Sequence, residues 1–187
     1  MAEFSRTHTE SLHSWAVWTL ERGKFADPDG GTFERTYVLS PGAVAVVPVR
    51  VRGDELWVTL VSQYRPAFDK TMLEIPAGMR DVDGEPPETT AARELLEETG
   101  LSAGRLDLLG HIASAPGITN SEVIIYLGTD LNEGDHHRHG PEEAHMEVIE
   151  LRLSDAVARV KSGLIDDSKT MIGLLLANEM LQGEDLR

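Results

Sequence analysis

The sequence predicts an α/β sandwich preceded by extra N-terminal strands. Three observations carry this expectation. Ala43 to Val51 is nearly continuous in aliphatic residues, the pattern of a strand buried on both faces. Strand-like runs lie on both sides of one amphipathic helical segment that begins at Pro86-Pro87 and ends before Gly100. Further helical segments close the chain, and helices set among strands in this way cover a sheet on its faces.

The elements follow in order. Trp15 to Glu21 alternates partly and reads as a strand, Gly30-Gly31 marks a turn, and Thr32 to Leu39 reads as a second strand. Together they suggest a hairpin-like N-terminal extension over residues 1–40, with the main domain over residues 41–187. Ser40-Pro41-Gly42 breaks the chain before the central strand. Arg52-Gly53-Asp54-Glu55 is a turn, and Leu56 to Gln63 pairs back. Beyond the helix, Leu106 to Ala113, Val123 to Leu127 and Met146 to Leu151 read as strands. Ser154 is placed to cap a short helix running through Lys161, and Asp167 or Ser168 starts a last helix ending near Gly183.

Composition narrows the function classes. The chain has 187 residues, enough for one domain with a real core. The absence of cysteine excludes disulfides and thiolate zinc sites. No run approaches the ~18 apolar residues of a membrane span, and the first residues lack a basic-then-apolar leader pattern, so a cytoplasmic location is the default expectation. A formal charge of −15 argues against general affinity for nucleic acid or an anionic membrane. An anionic substrate would then need local help from metal ions and a few placed arginines.

Glu94, Glu97 and Glu98 share one helix face, with Glu98 about 6 Å above Glu94. In a partly buried cleft such a pair repels by about 3 kcal/mol at an effective dielectric of 20. A divalent cation turns that repulsion into attraction, and an all-carboxylate set suits Mg²⁺ or Mn²⁺. A solvated acidic face is the commoner meaning of such a cluster taken alone. His136, His137 and His139, beside Asp135, look metal-like but lie in a polar stretch without a rigid scaffold. Asp81-Val82-Asp83-Gly84 fails as a calcium loop because its glycine comes too early.

The frame around the three glutamates sharpens their meaning. Glu85, seven residues, Arg93-Glu94-Leu95, one residue, Glu97-Glu98, one residue and Gly100-Leu101 resemble the signature of the Nudix hydrolases, G-x5-E-x7-R-E-U-x-E-E-x-G-U, where U is aliphatic. One departure is visible: six residues, not five, separate Gly78 from Glu85. The extra residue falls in a loop, where insertion is cheap. The resemblance covers residues 42 to 162 and implies an α/β/α sandwich with a mixed sheet. It implies that Glu94 and Glu98 bind divalent cations bridging a diphosphate, with Glu97 as a further ligand and member of the catalytic group. It also implies the Ala77 carbonyl as a backbone ligand, and a structural ion pair between Arg93 and Glu85.

The substrate must be read outside this signature. Arg65 in Ser62-Gln63-Tyr64-Arg65, Glu74 in Leu73-Glu74-Ile75-Pro76-Ala77-Gly78, and Pro116, sixteen residues after Gly100, resemble the ADP-ribose pyrophosphatase subfamily. Arg65 also reads as a surface ion-pair partner, and Pro116 as a plain turn residue. In that subfamily the N-terminal strands often exchange between two subunits, which implies a homodimer. Trp18 is then a candidate adenine stacker, though such a residue is more often an ordinary core or interface tryptophan, and Arg35 a candidate phosphate contact. A loop glutamate often serves as the base, which points to Glu143 and then Glu142 in Gly140-Pro141-Glu142-Glu143-Ala144. The expected reaction is Mg²⁺-dependent cleavage of ADP-ribose, or of a similar ADP-sugar, to AMP and ribose 5-phosphate. The alternatives are another nucleoside diphosphate derivative (NADH, a nucleotide sugar or a dinucleoside polyphosphate) as substrate, or a non-catalytic nucleotide sensor of the same fold.

Overall fold

The structure is a computed structural model that describes residues 3–134 and 145–184. The chain divides into two compact units, Met1–Gly42 with Ala113–Glu122, and Ala43–Ile112 with Val123–Arg187.

The first unit is an antiparallel sheet of β1 (Ser5–Trp15), β2 (Trp18–Ala26) and β3 (Thr32–Leu39), in that order. The expected strand Trp15–Glu21 is instead cut in two: Trp15 pairs with Trp18 across a two-residue hairpin, and Ala16 takes a φ of 45°. Neither Ala16 nor Val17 is a usual turn residue, so the sequence carries no turn signal there. Strand β1 is exposed along its whole length and carries only Leu12 and Trp15 as large apolar residues, which leaves no hydrophobic alternation to reveal it. The segment 113–122 joins this unit through Val38 N–H donating to the Ile118 carbonyl (2.8 Å) and Ser40 N–H donating to Asn120 Oδ1 (2.8 Å).

The second unit is built around β4 (Ala43–Arg52). The remaining strands are β5 (Glu55–Arg65), β6 (Lys70–Glu74), β7 (Ala77–Met79), β8 (Leu101–Ala113), β9 (Glu122–Glu133) and β10 (Glu147–Arg152). They form a seven-stranded sheet in the order β10-β5-β4-β9-β8, with β6 on β5 and β7 on β4. The β4–β9 pair is parallel and the pairs of β4 with β5 and β7 are antiparallel, so the sheet is mixed. Strands β6 and β7 are too short for an alternating pattern to show in the sequence.

Both faces of this sheet are covered, as the aliphatic run in β4 requires. Ala45, Val47 and Val49 enter one core with residues of α2 (Leu153–Lys161) and α3 (Ser168–Glu184), including Val157, Val160, Leu174 and Ala177. Val44 and Val46 face the other way, onto Ala91 and Leu95 of α1 (Pro87–Thr99). The result is the expected α/β/α sandwich. Leu95 is fully buried, and its replacement by Ala should cost about 2–5 kcal/mol.

Helix α2 starts differently from the sequence expectation. Arg152, not Ser154, stands at its N-cap position and makes no side-chain cap bond; its Nε pairs with Glu55 at 2.8 Å. Leu153 is 1% exposed, and its burial draws the first turn two residues earlier. Helix α3 begins at Ser168, and Asp167 caps it by accepting from Thr170 N–H (2.9 Å) and Thr170 Oγ1 (2.6 Å).

Candidate active site

Helix α1 holds the acidic cluster because its ends are well defined. Pro86 is extended at the N-cap, and Pro87 opens the first turn, where its missing N–H costs nothing. Gly100 ends the helix in the left-handed region at φ 72°, which a side chain would strain, and donates to the Leu96 carbonyl at 2.9 Å. Ala91 and Leu95 anchor one face on the sheet, and Glu94, Glu97 and Glu98 line a cleft of ≈ 340 Å³. Ala77 and Gly78 of β7 and Gln63 and Arg65 of β5 line the same cleft. Helix and strand meet closely here. Ala77 N–H donates to Glu98 Oε2 at 3.0 Å, and a Cβ placed on Gly78 would overlap the Glu94 carboxylate.

Arg93 is the counter-ion at the centre of the cluster. Its Nη1 donates to Glu94 Oε1 (2.7 Å) and Glu97 Oε2 (3.2 Å), and its Nη2 to Glu85 Oε2 (3.3 Å). Glu85 also accepts from Thr90 Oγ1 at 2.8 Å, which with Arg93 holds its carboxyl below the ordinary range. The one-residue-longer loop thus still delivers Glu85 to Arg93. The loop ends in a turn closed by Glu85 N–H on the Val82 carbonyl (3.2 Å), with Gly84 at φ 75°. Burial pushes the Glu94 carboxyl up; Arg93 opposes this, but burial, with repulsion from Glu97, prevails. Glu94 is therefore a desolvated carboxylate whose charge is incompletely compensated.

Among the described residues, no three carboxylate or imidazole groups converge into a closed cation cage. The oxygens of Glu94 and Glu97 are turned to Arg93, and an oxygen of Glu98 to the Ala77 N–H. The donor set nonetheless fits a hard divalent cation: only oxygen ligands, on a rigid helix, with one carboxylate short of compensating charge.

Arg65, at the end of β5, grips Glu74 with two parallel hydrogen bonds. Nε donates to Oε1 and Nη2 to Oε2, both at 2.7 Å. Glu74 is 1% exposed, and its second cation is Lys169 of α3, whose Nζ contacts Oε2. Burial pushes the Glu74 carboxyl up, but the hydrogen bonds from Arg65 and the charge of Lys169 prevail and hold it below the usual carboxylate range. Gln63, two residues before Arg65, shares its strand face and reaches the same cleft.

The structure thus brings together Glu94, Glu97, Glu98, Ala77, Arg65 and, behind Arg65, Glu74. Trp18, Arg35 and Pro116 all belong to the other unit. Trp18 is half-buried, its ring 6.2 Å from that of Trp15. The Arg35 guanidinium lies over the Phe33 ring at 4.9 Å and donates to the Glu34 carbonyl at 2.7 Å. Pro116 sits in an exposed turn closed by Ile118 N–H on the Ala115 carbonyl at 3.0 Å. Glu142 and Glu143, like Asp135, His136, His137 and His139, lie outside the described residues. Sequence reasoning missed Gln63, which the two-residue strand period relative to Arg65 would have given. It also missed Lys169, which stands 95 residues from its partner Glu74 and has no local signal.

Comparison with known proteins places the chain in a family. A family model described as the NUDIX domain matches residues 39–167. An ADP-ribose pyrophosphatase of Mycobacterium tuberculosis (strain ATCC 25618 / H37Rv) is 36% identical over 181 residues, covering 97% of this chain and 86% of that protein. An ADP-ribose pyrophosphatase of Bacillus subtilis (strain 168) is 37% identical over 159 residues, 84% of each chain. A solved structure described as an ADP compounds hydrolase superposes with a TM-score of 0.82 at 21% identity, covering 97% of this chain and 96% of that one, and shows the same fold. The chain belongs to the Nudix hydrolase family. Hydrolases of this family generally use divalent metal ions.

Proposed function

We propose that the protein hydrolyses the diphosphate link of ADP-ribose, or of a similar ADP-sugar, to AMP and ribose 5-phosphate. The observation that carries this reading is the shared cleft, in which Glu94, Glu97 and Glu98 of one helix face Arg65 of a strand. The names of the two ADP-ribose pyrophosphatase relatives support the choice of nucleotide.

Glu94, Glu98, Glu97 and the Ala77 carbonyl would hold Mg²⁺, or Mn²⁺ in its place. When bound, such an ion would supply neutralisation of the charge developing on the diphosphate and a more acidic water. Arg65 meets the diphosphate oxygens, with Glu74 fixing the plane of its guanidinium. Arg93 and Glu85 keep the helix and its preceding loop in register while the carboxylates are engaged. Glu143, or else Glu142, takes the proton from the attacking water. In a homodimer, Trp18 would stack on adenine, with Arg35 and Pro116 as further nucleotide contacts.

A phosphate-release screen tests this reading: nucleoside diphosphate compounds with Mg²⁺, coupled to a phosphatase. ADP-ribose should exceed NADH, nucleotide sugars lacking adenine and dinucleoside polyphosphates by at least about tenfold in kcat/KM, a difference of about 1.4 kcal/mol. Equal rates on every compound would sink the assignment to ADP-ribose.

A further inference from the structure

We propose that Lys169 is a positioning residue for Arg65, acting through Glu74. The inference rests on the reading that Arg65 meets the diphosphate. Glu74 is held from two directions: Arg65 reaches it from β5 with both Nε and Nη2 at 2.7 Å, and Lys169 from α3 with Nζ on Oε2. The Nε–Nη2 edge of the guanidinium is thereby committed to Glu74, and Nη1 is left on the edge facing away from it. Arg65 lines the glutamate cleft and also a second recess of ≈ 430 Å³ shared with Phe68, Met72 and Lys169. A guanidinium standing between two openings needs a fixed plane, and a bidentate carboxylate supplies one only if it cannot itself rotate.

Lys169 provides that second anchor. It is 13% exposed, and its ammonium also contacts Asp167 Oδ2 at 3.0 Å. Asp167 is fixed in turn as the cap of α3. Docking of α3 onto the sheet has a separate fastener, the Ile75 N–H donating to Thr170 Oγ1 at 2.9 Å. Lys169 is thus not needed to seat the helix, and its contacts run to the carboxylate that orients Arg65. Without it, Glu74 has Arg65 as its one strong cation. The pair then tightens and turns as a unit, and less of the Arg65 charge is free for an anion.

Kinetics of five variants on the nucleoside diphosphate that the wild type turns over best separate positioning from support. K169M should raise KM by about tenfold, the equivalent of about one good contact, with kcat within about threefold of wild type. K169R should restore most of the loss. L174V, which loosens the packing of α3 in the core without touching Asp167 or Lys169, should lower Tm while leaving KM within about twofold. In the R65A background, K169M should add little further change, because residues acting as one unit are not additive. A wild-type KM in K169M, an equal rise in L174V, or full additivity with R65A would overturn the proposal. A wild type that turns over no such compound would overturn the functional reading and this inference together.

Discussion

Gly78 leaves the space that the Glu94 carboxylate fills: a methyl group on Gly78 would overlap the end of that side chain. The group that must yield is the flexible tip of a glutamate, so the cost falls on its placement more than on the fold. Gly78→Ala should therefore keep Tm within a few degrees of wild type while lowering kcat by about a hundredfold, as ångström-scale misplacement does. Thermal unfolding and steady-state rates on the same preparation check this. A loss of stability without loss of turnover would contradict it.

Glu98 is 4% exposed and accepts the Ala77 N–H, an interaction that a glutamine oxygen can also make. Glu98→Gln should fold normally, yet lose about 10²–10³-fold in kcat through the missing charge. It should also lose the Mg²⁺-dependent rise in Tm. Near wild-type turnover in this variant would remove Glu98 from the metal set.

Arg93 ties Glu85, Glu94 and Glu97 together. Arg93→Met should cost about 2 kcal/mol in metal-free buffer, the size of lost hydrogen bonds to charged groups. The cost should shrink in Mg²⁺, which supplies positive charge to the same carboxylates. Urea titrations with and without Mg²⁺ read both values, and identical differences would show that the ion does not bind there.

Glu94 gives a pH signature. Burial, with Glu97, raises its carboxyl above the ordinary value. The folded protein therefore binds this proton more tightly than the unfolded chain. Its contribution is favourable below the ordinary carboxylate pKa and is lost as pH rises through the raised folded value. Glu94→Gln cannot lose it. The stability of the variant relative to metal-free wild type should thus increase from about pH 4 to about pH 7, a window set by the unperturbed glutamate value. Denaturant midpoints across that range measure the trend, and a decreasing difference would contradict it.

The core sandwich was legible because its signals are local. The β4 aliphatic run, the proline start and glycine stop of α1, and the spacing of Glu85, Arg93, Glu94, Glu97 and Glu98 each lie within a few turns of chain. The hairpin at Ala16-Val17 was hidden because neither residue is a turn former and β1 buries nothing. The start of α2 was misread because burial of Leu153 outweighed the capping preference of Ser154. Arg65 was found through its neighbours in sequence, whereas Lys169 joins Glu74 only through the packing of α3 on the sheet.

Strand β4 changes neighbours along its length. Ala43 to Pro48 pairs with β9, and Val49 to Arg52 with β5, while β7 adds to its first residues. One strand is thereby common to the pairings that carry the helix-side cleft and those that carry Arg65. The stretch Val44 to Val49, buried along its length, ends at the first residue paired with β5, so loss of the β9 or β7 pairings frees buried backbone groups of β4. The larger unit should open as a single cooperative step, and the amides of β4 should be its slowest to exchange with deuterium, at the free energy of global unfolding.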